Sequence, residues 1–170
     1  AINVNTRFDD AASVAALGGL LFGYDSAVIN GAVSAIEKHF EVAPGPLGFA
    51  VASALIGAAA GAFTGGRIAD RIGRLRVMQI AAVLFFVSAI GSGLASSLTM
   101  FVVFRIVGGI AVGIASVIAP AYIAEISPPH IRGRLGSLQQ MAIVSGIFVS
   151  LLIDYILTVA VSTAAGVANI

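Results

Sequence analysis

Apolar stretches about as long as a bilayer is thick recur along this chain, and nothing else in the sequence constrains its fold as strongly. Val77 to Ala95 runs 19 residues without one charge. A membrane-crossing helix needs roughly 20 such residues. Comparable runs cover about Ala11–Ile36, Leu47–Ala69, Met100–Ile126 and Leu135–Leu157. The whole chain is 59% hydrophobic and only 10% charged over 170 residues, with a mean hydropathy of +1.05. A soluble domain carries about a quarter charged residues to keep its surface wet. The expectation is an all-α membrane protein with about five transmembrane helices, near 11–36, 47–69, 77–95, 100–126 and 135–157.

The same composition excludes several functions. A formal net charge of +1 gives no basic footprint for nucleic acid. The absence of cysteine removes disulfides, thiolate metal sites and thiol catalysis. His39 and His130 lie far apart, both in expected loops, with no second metal ligand beside either. No paired carboxylates or activated nucleophile stand within the apolar runs, so an enzyme is not expected and no cofactor is implied. Ala1–Asp10 is polar and acidic, lacks a basic n-region, and does not read as a cleavable signal peptide. With no initiating Met, the chain is expected to begin upstream. The tail, Thr158–Ile170, finishes helix five or forms a loop; its pattern leaves both open.

Lysine and arginine set the orientation. An N-terminus in the cytoplasm puts Arg7, Arg67, Arg71, Arg74, Arg76, Arg132 and Arg134 on that side. Only Lys38 is then outside, and Arg105 is within the membrane. The expected location is the cell membrane, crossed several times. Glycines four apart argue for a tight bundle: Gly19 and Gly23, Gly57 and Gly61, Gly61 and Gly65, Gly109 and Gly113. Small faces of this kind let helix backbones approach closely.

Two charges fall inside the runs at one depth. Asp25 is roughly 21 Å above the start of helix one, and Arg105 roughly 22 Å up helix four, counting 1.5 Å per residue. Paired, they neutralise each other, which lowers the cost of burial. The pair then serves either as a proton-operated switch or as a static tie between helices one and four. A second cluster, Gly66-Arg-Ile-Ala-Asp70-Arg71-Ile-Gly73-Arg74-Leu-Arg76, is more ordered than topology alone requires. Glu125, Arg132 and Arg134 fall at a similar level. An interhelical charge network of Asp70, Arg71, Arg74, Glu125, Arg132 and Arg134, clamping one conformation, is the corresponding expectation.

That cluster resembles the loop motif between helices two and three of the major facilitator superfamily, G-x-x-x-D-R-x-G-R-[RK], with Leu75 as one departure. Gly18-Gly-Leu-Leu-Phe-Gly-Tyr-Asp25-Ser-Ala-Val-Ile-Asn-Gly31 is similar to the helix-one signature of its sugar porter family. Arg105-Ile-Val-Gly-Gly109, Tyr122-Ile-Ala-Glu-Ile-Ser-Pro128 and Arg132-Gly-Arg-Leu-Gly-Ser-Leu-Gln-Gln140 also resemble that family in order and spacing, from about Gly18 to Tyr155. The resemblance implies the N-terminal six-helix half of a major facilitator fold, about five helices of it, from a bacterial-type transporter. It places Gln140 where a glutamine hydrogen-bonds sugar hydroxyls, a task suited to a group that both donates and accepts. Phe22 and Ile143 fall at cavity-lining positions, although bundle core is an equal reading for each. Asp25 falls where proton-coupled members carry aspartate and facilitative members asparagine.

The implied function is secondary active transport of a monosaccharide by proton symport through alternating access. Its partners are the sugar, the proton, the lipid bilayer and a C-terminal half beyond these residues, expected because relatives have twelve helices. Alternatives are a proton-independent facilitator and a non-transporting membrane sensor or scaffold.

Overall fold

A computed structural model describes residues 19–20, 22–29, 33, 36–41, 43–130 and 132–168. Within them, the chain is helical and without strands. Helical residues 19–20 and 22–29 are α1; α2 is Pro44–Ile72, α3 Arg74–Gly93, α4 Leu98–Ile126 and α5 Arg132–Ala168. Arg7, the acidic N-terminus and the start of the first apolar run lie outside the described residues. Gly45–Ile72, Arg74–Gly93, Leu98–Glu125 and Arg132–Thr163 are each long and apolar enough to cross a membrane.

Helix ends follow backbone chemistry more than hydropathy. Pro44 and Pro46 precede the apolar run that begins at Leu47, yet they form the first turn of α2 after Ala43. The first amides of a helix have no intrahelical partner, so proline loses nothing there. His39, expected in a loop, lies in a short helical stretch at 36–40, its ring edge-on to Phe40 with centroids 4.8 Å apart. α2 continues past its apolar run through Arg67, Asp70 and Arg71 and stops at Gly73. Gly73 has φ 92 and donates its N–H to the Ala69 carbonyl at 3.0 Å. Such a conformation suits a residue without Cβ. Arg74 is already the first residue of α3, so the joint is one residue long. α4 opens on Ser97, whose hydroxyl accepts the Met100 N–H at 3.2 Å, a side-chain N-cap. It closes at Ser127, just before Pro128. α5 takes in the tail as far as Ala168, resolving what the sequence pattern left open.

The chain divides into two compact units, residues 1–32 with 137–170, and residues 33–136. In the second, α2 and α4 pack along glycine. A Cβ on Gly57 would run into the Ile106 carbonyl, and one on Gly61 into that of Ile110. From the other side, Cβ atoms on Gly109 and Gly113 would strike the carbonyls of Ala54 and Ala58. Partner numbers rise together, so the two helices run parallel. α3 lies against α4 through a stripe of Val77, Ala81, Ser88 and Gly91, and Ser88 donates its hydroxyl proton to the Phe104 carbonyl at 2.5 Å. A small core forms from Ala69, Val77, Ala81, Ile114 and Ile118.

In the first unit, α1 and α5 repeat the pattern. Gly23 faces the Ile143 carbonyl, and Gly146 faces that of Leu20. These contacts also pair a parallel couple. Lipid tails are as apolar as the side chains, so close van der Waals contact rather than water exclusion holds such seams.

Candidate functional site

The charged end of the second unit is built from three helix termini. Gly73 ends α2 and releases Arg74 at the start of α3. From there the guanidinium reaches two carboxylates. Its Nη1 lies 2.5 Å from Asp70 Oδ1 on α2, and its Nε and Nη2 each lie 3.1 Å from Glu125 Oε1 on α4. Arginine suits this position because its planar fork serves two acceptors at once. The Arg74 side chain is 27% exposed, against 68% and 51% for Asp70 and Glu125. Water therefore screens the pairs, and each is weak as a stabiliser. A weak, water-accessible tie between three helices is suited to opening and closing.

The other members of the expected network stand apart from this centre. Arg132 donates from Nη2 to the Ser127 carbonyl at 3.4 Å, across the turn between α4 and α5. Arg71 and Arg134 are exposed, and among the described residues neither forms an ion pair. Arg67 instead lies over the Phe63 ring, 4.8 Å from its centroid.

Asp25 and Arg105 are both half-buried. They belong to different units, Asp25 on α1 and Arg105 seven residues into α4. Gly19 and Gly23 carry the α5-facing side of α1. At about 100° per residue, Asp25 points to the opposite side of α1 from that seam. On α5, Gln140 is exposed and Ile143 half-buried. A Cβ on Gly19 would meet Ile143 Cγ1 at 3.3 Å, so Ile143 contributes to the α1–α5 seam. Phe22 is half-buried, and its carbonyl accepts the Ser26 hydroxyl at 2.8 Å.

One acid escaped the sequence reading. Asp154 lies within the apolar span of α5 and is half-buried. Its signal was the one that marked Asp25, a charge inside an apolar run, but here the run was bounded without regard to it.

Comparison with known proteins agrees with this architecture. The family profile described as sugar (and other) transporter matches residues 11–166. The glucose transport protein of Synechocystis sp. is 62% identical over 142 residues, covering 84% of this chain and 30% of that protein. The D-xylose-proton symporter of Escherichia coli K12 is 45% identical, covering 84% of this chain and 34% of its own. A proton:xylose symporter of the major facilitator superfamily, solved with 6-bromo-6-deoxy-D-glucose, superposes with a TM-score of 0.82 at 40% identity, over 92% of this chain and 38% of that one. The chain thus spans about a third of the length of the curated relatives it matches. These relatives are transporters, not enzymes.

Proposed function

The chain belongs to the sugar (and other) transporter family, and from that premise we propose that it supplies N-terminal helices of a carrier moving a monosaccharide together with a proton by alternating access. The observation that carries the reading is the Arg74 bridge, which ties α2, α3 and α4 through exposed, readily broken ion pairs. Alternating access needs bonds of this kind, made in one state and released in the other. Asp70, Arg74 and Glu125 are the centre of that clamp, with Arg71, Arg132 and Arg134 able to engage as the helices move. The charged end faces the cytoplasm of a cell-membrane protein, as the arginine distribution favours. The rest of the carrier is a C-terminal half that completes the path.

Within this carrier Asp25 accepts the proton and Arg105 is its partner when the acid is ionised. Gln140 hydrogen-bonds the sugar, with Phe22 and Ile143 beside it. Support for symport comes from the acid itself, since only a carboxyl takes up and releases a proton there, and from the proton-coupled relative.

Asp25→Asn in the full-length protein tests the coupling. Sugar accumulation against a gradient should fall to the level of simple equilibration, while sugar exchange continues. Accumulation at the wild-type level would remove Asp25 from the coupling step and leave a facilitator. Failure of any sugar to saturate transport would leave a sensor or scaffold.

A further inference from the structure

α2 carries an outward stripe that changes from apolar to basic toward its charged end. Ile56 and Phe63 are 57% and 71% exposed, and Ala60, Arg67 and Arg71 are exposed beside them. At about 100° per residue these side chains fall within an arc of about 80°. The packed side of the helix lies elsewhere. Gly61 is pressed against the Ile110 carbonyl of α4, and Ile56, Phe63 and Arg67 lie roughly 120–160° round from it. Ala69, in the core shared with α3 and α4, is roughly 120–160° from Phe63 and Arg67. Neither α3 nor α4 covers the stripe.

Its two arginines are placed to receive an anion. The Arg67 guanidinium lies 4.8 Å from the Phe63 ring centroid, turned back toward the apolar part of the helix. Stacking occupies the face of the guanidinium and leaves its N–H edge free for acceptors. Arg71 follows one turn later, about 6 Å further along the axis. Among the described residues neither forms an ion pair. Asp70, the acid beside Arg71, is engaged by Arg74. From Ile56 to Arg67 the rise is roughly 16 Å, about half the thickness of a hydrocarbon core and so the depth of one leaflet.

We propose that this stripe docks an anionic phospholipid, with its headgroup phosphate on Arg67 and Arg71 and an acyl chain along Phe63, Ala60 and Ile56. The partner is identified by its two-part chemistry. A phosphate takes charge-assisted hydrogen bonds from guanidinium N–H groups, and a chain lying against Phe63 and Ile56 must be apolar. A soluble anion uses the arginines alone. A lipid with a choline headgroup brings its own cation to the same place and gains less from them. The inference deepens the bilayer partnership of the proposed carrier. It needs α2 to span the membrane and draws nothing from the sugar or proton assignments.

The test is native mass spectrometry of the full-length protein in detergent, with phosphatidylglycerol and phosphatidylcholine of matched chains as probes. The tightest phosphatidylglycerol should be held severalfold more strongly than phosphatidylcholine. Arg67→Gln and Arg71→Gln should each weaken phosphatidylglycerol about fivefold, with phosphatidylcholine and the unfolding temperature nearly unchanged. Phe63→Ala should weaken both lipids. Arg134→Gln, which removes an exposed arginine of α5, should change neither. Glycerol phosphate, a headgroup without chains, should not displace the lipid. Equal binding of the two lipids overturns the proposal. So does phosphatidylglycerol binding that neither arginine variant weakens, which leaves the stripe to the C-terminal half. A loss at Arg134→Gln equal to that at Arg67→Gln reduces the effect to net charge and also overturns it. Displacement by glycerol phosphate overturns it in favour of a soluble anion. Sugar transport enters none of these readings, so the carrier stands or falls separately.

Discussion

The α2–α4 and α1–α5 seams use one device and differ in what surrounds it. Both are parallel pairs in which glycine brings one backbone against the other. α4, however, is lined on a second side by α3 and tied at its end to Arg74. α5 carries a long apolar face in which Met141, Val144 and Phe148 are exposed. The contrast shows that a membrane bundle does not grade its helices by hydrophobicity. Hydropathy of the best windows is nearly equal, 2.3 for α4 and 2.2 for α5. Within its own unit α4 has α2 and α3 close by and α5 has α1, and in lipid such closeness is the main source of cohesion.

The sharpest way to break the comparison is to fill the seams. Gly113→Val and Gly23→Val each drive a side chain into a facing carbonyl, whereas Gly66→Val meets nothing within 4 Å. Overpacking of this kind costs about 1–3 kcal/mol or more. Thermal unfolding of the detergent-solubilised full-length protein should show a loss of several degrees or failure to fold for the first two, and little change for Gly66→Val. Since the clashes at Gly113 and Gly23 are alike, a larger loss at Gly113 measures what α3 adds to the α2–α4 seam. Equal losses would mean that α3 contributes nothing.

A smaller effect is expected at the charge cluster. Arg74→Ala removes the bridge between Asp70 and Glu125, while Arg71→Ala removes a side chain with no ion pair among the described residues. Arg74→Ala should slow sugar transport severalfold with little change in unfolding temperature. Arg71→Ala should leave the rate near wild type. Arg74→Lys should recover only part of the rate, because an ammonium does not span two carboxylates as a guanidinium does. The smallest effect belongs to Ser88→Ala in α3, which deletes the hydrogen bond to the Phe104 carbonyl. Polar contacts between membrane helices average about 0.6 kcal/mol. A shift in unfolding temperature of about a degree or less is the expected reading.

These contrasts also mark what was legible beforehand. The apolar runs overlap α2, α3 and α4 because hydropathy records which segments tolerate lipid. It does not record where backbone hydrogen bonding stops. Pro44 and Pro46 read as breakers, yet at a helix start their missing N–H groups are harmless. Asp70 and Arg71 fall beyond the expected end of the second helix at 69, yet charged side chains at a helix end reach water without unwinding it. The glycine spacing did foretell close packing, although only coordinates could match Gly57 with Ile106 and Gly23 with Ile143. In the charge cluster, composition named six residues, but the choice of Arg74 as the bridge depends on the turn at Gly73 and on how far each side chain reaches. Asp154 was missed because a span read as a block hides a lone acid near its boundary.

The joint at Gly73 has no slack, and evolution should feel that. One inserted residue there would turn α3 by about 100° about its own axis, swinging Val77, Ala81 and Ser88 off α4 together. Length between these two helices should therefore tolerate insertion or deletion poorly.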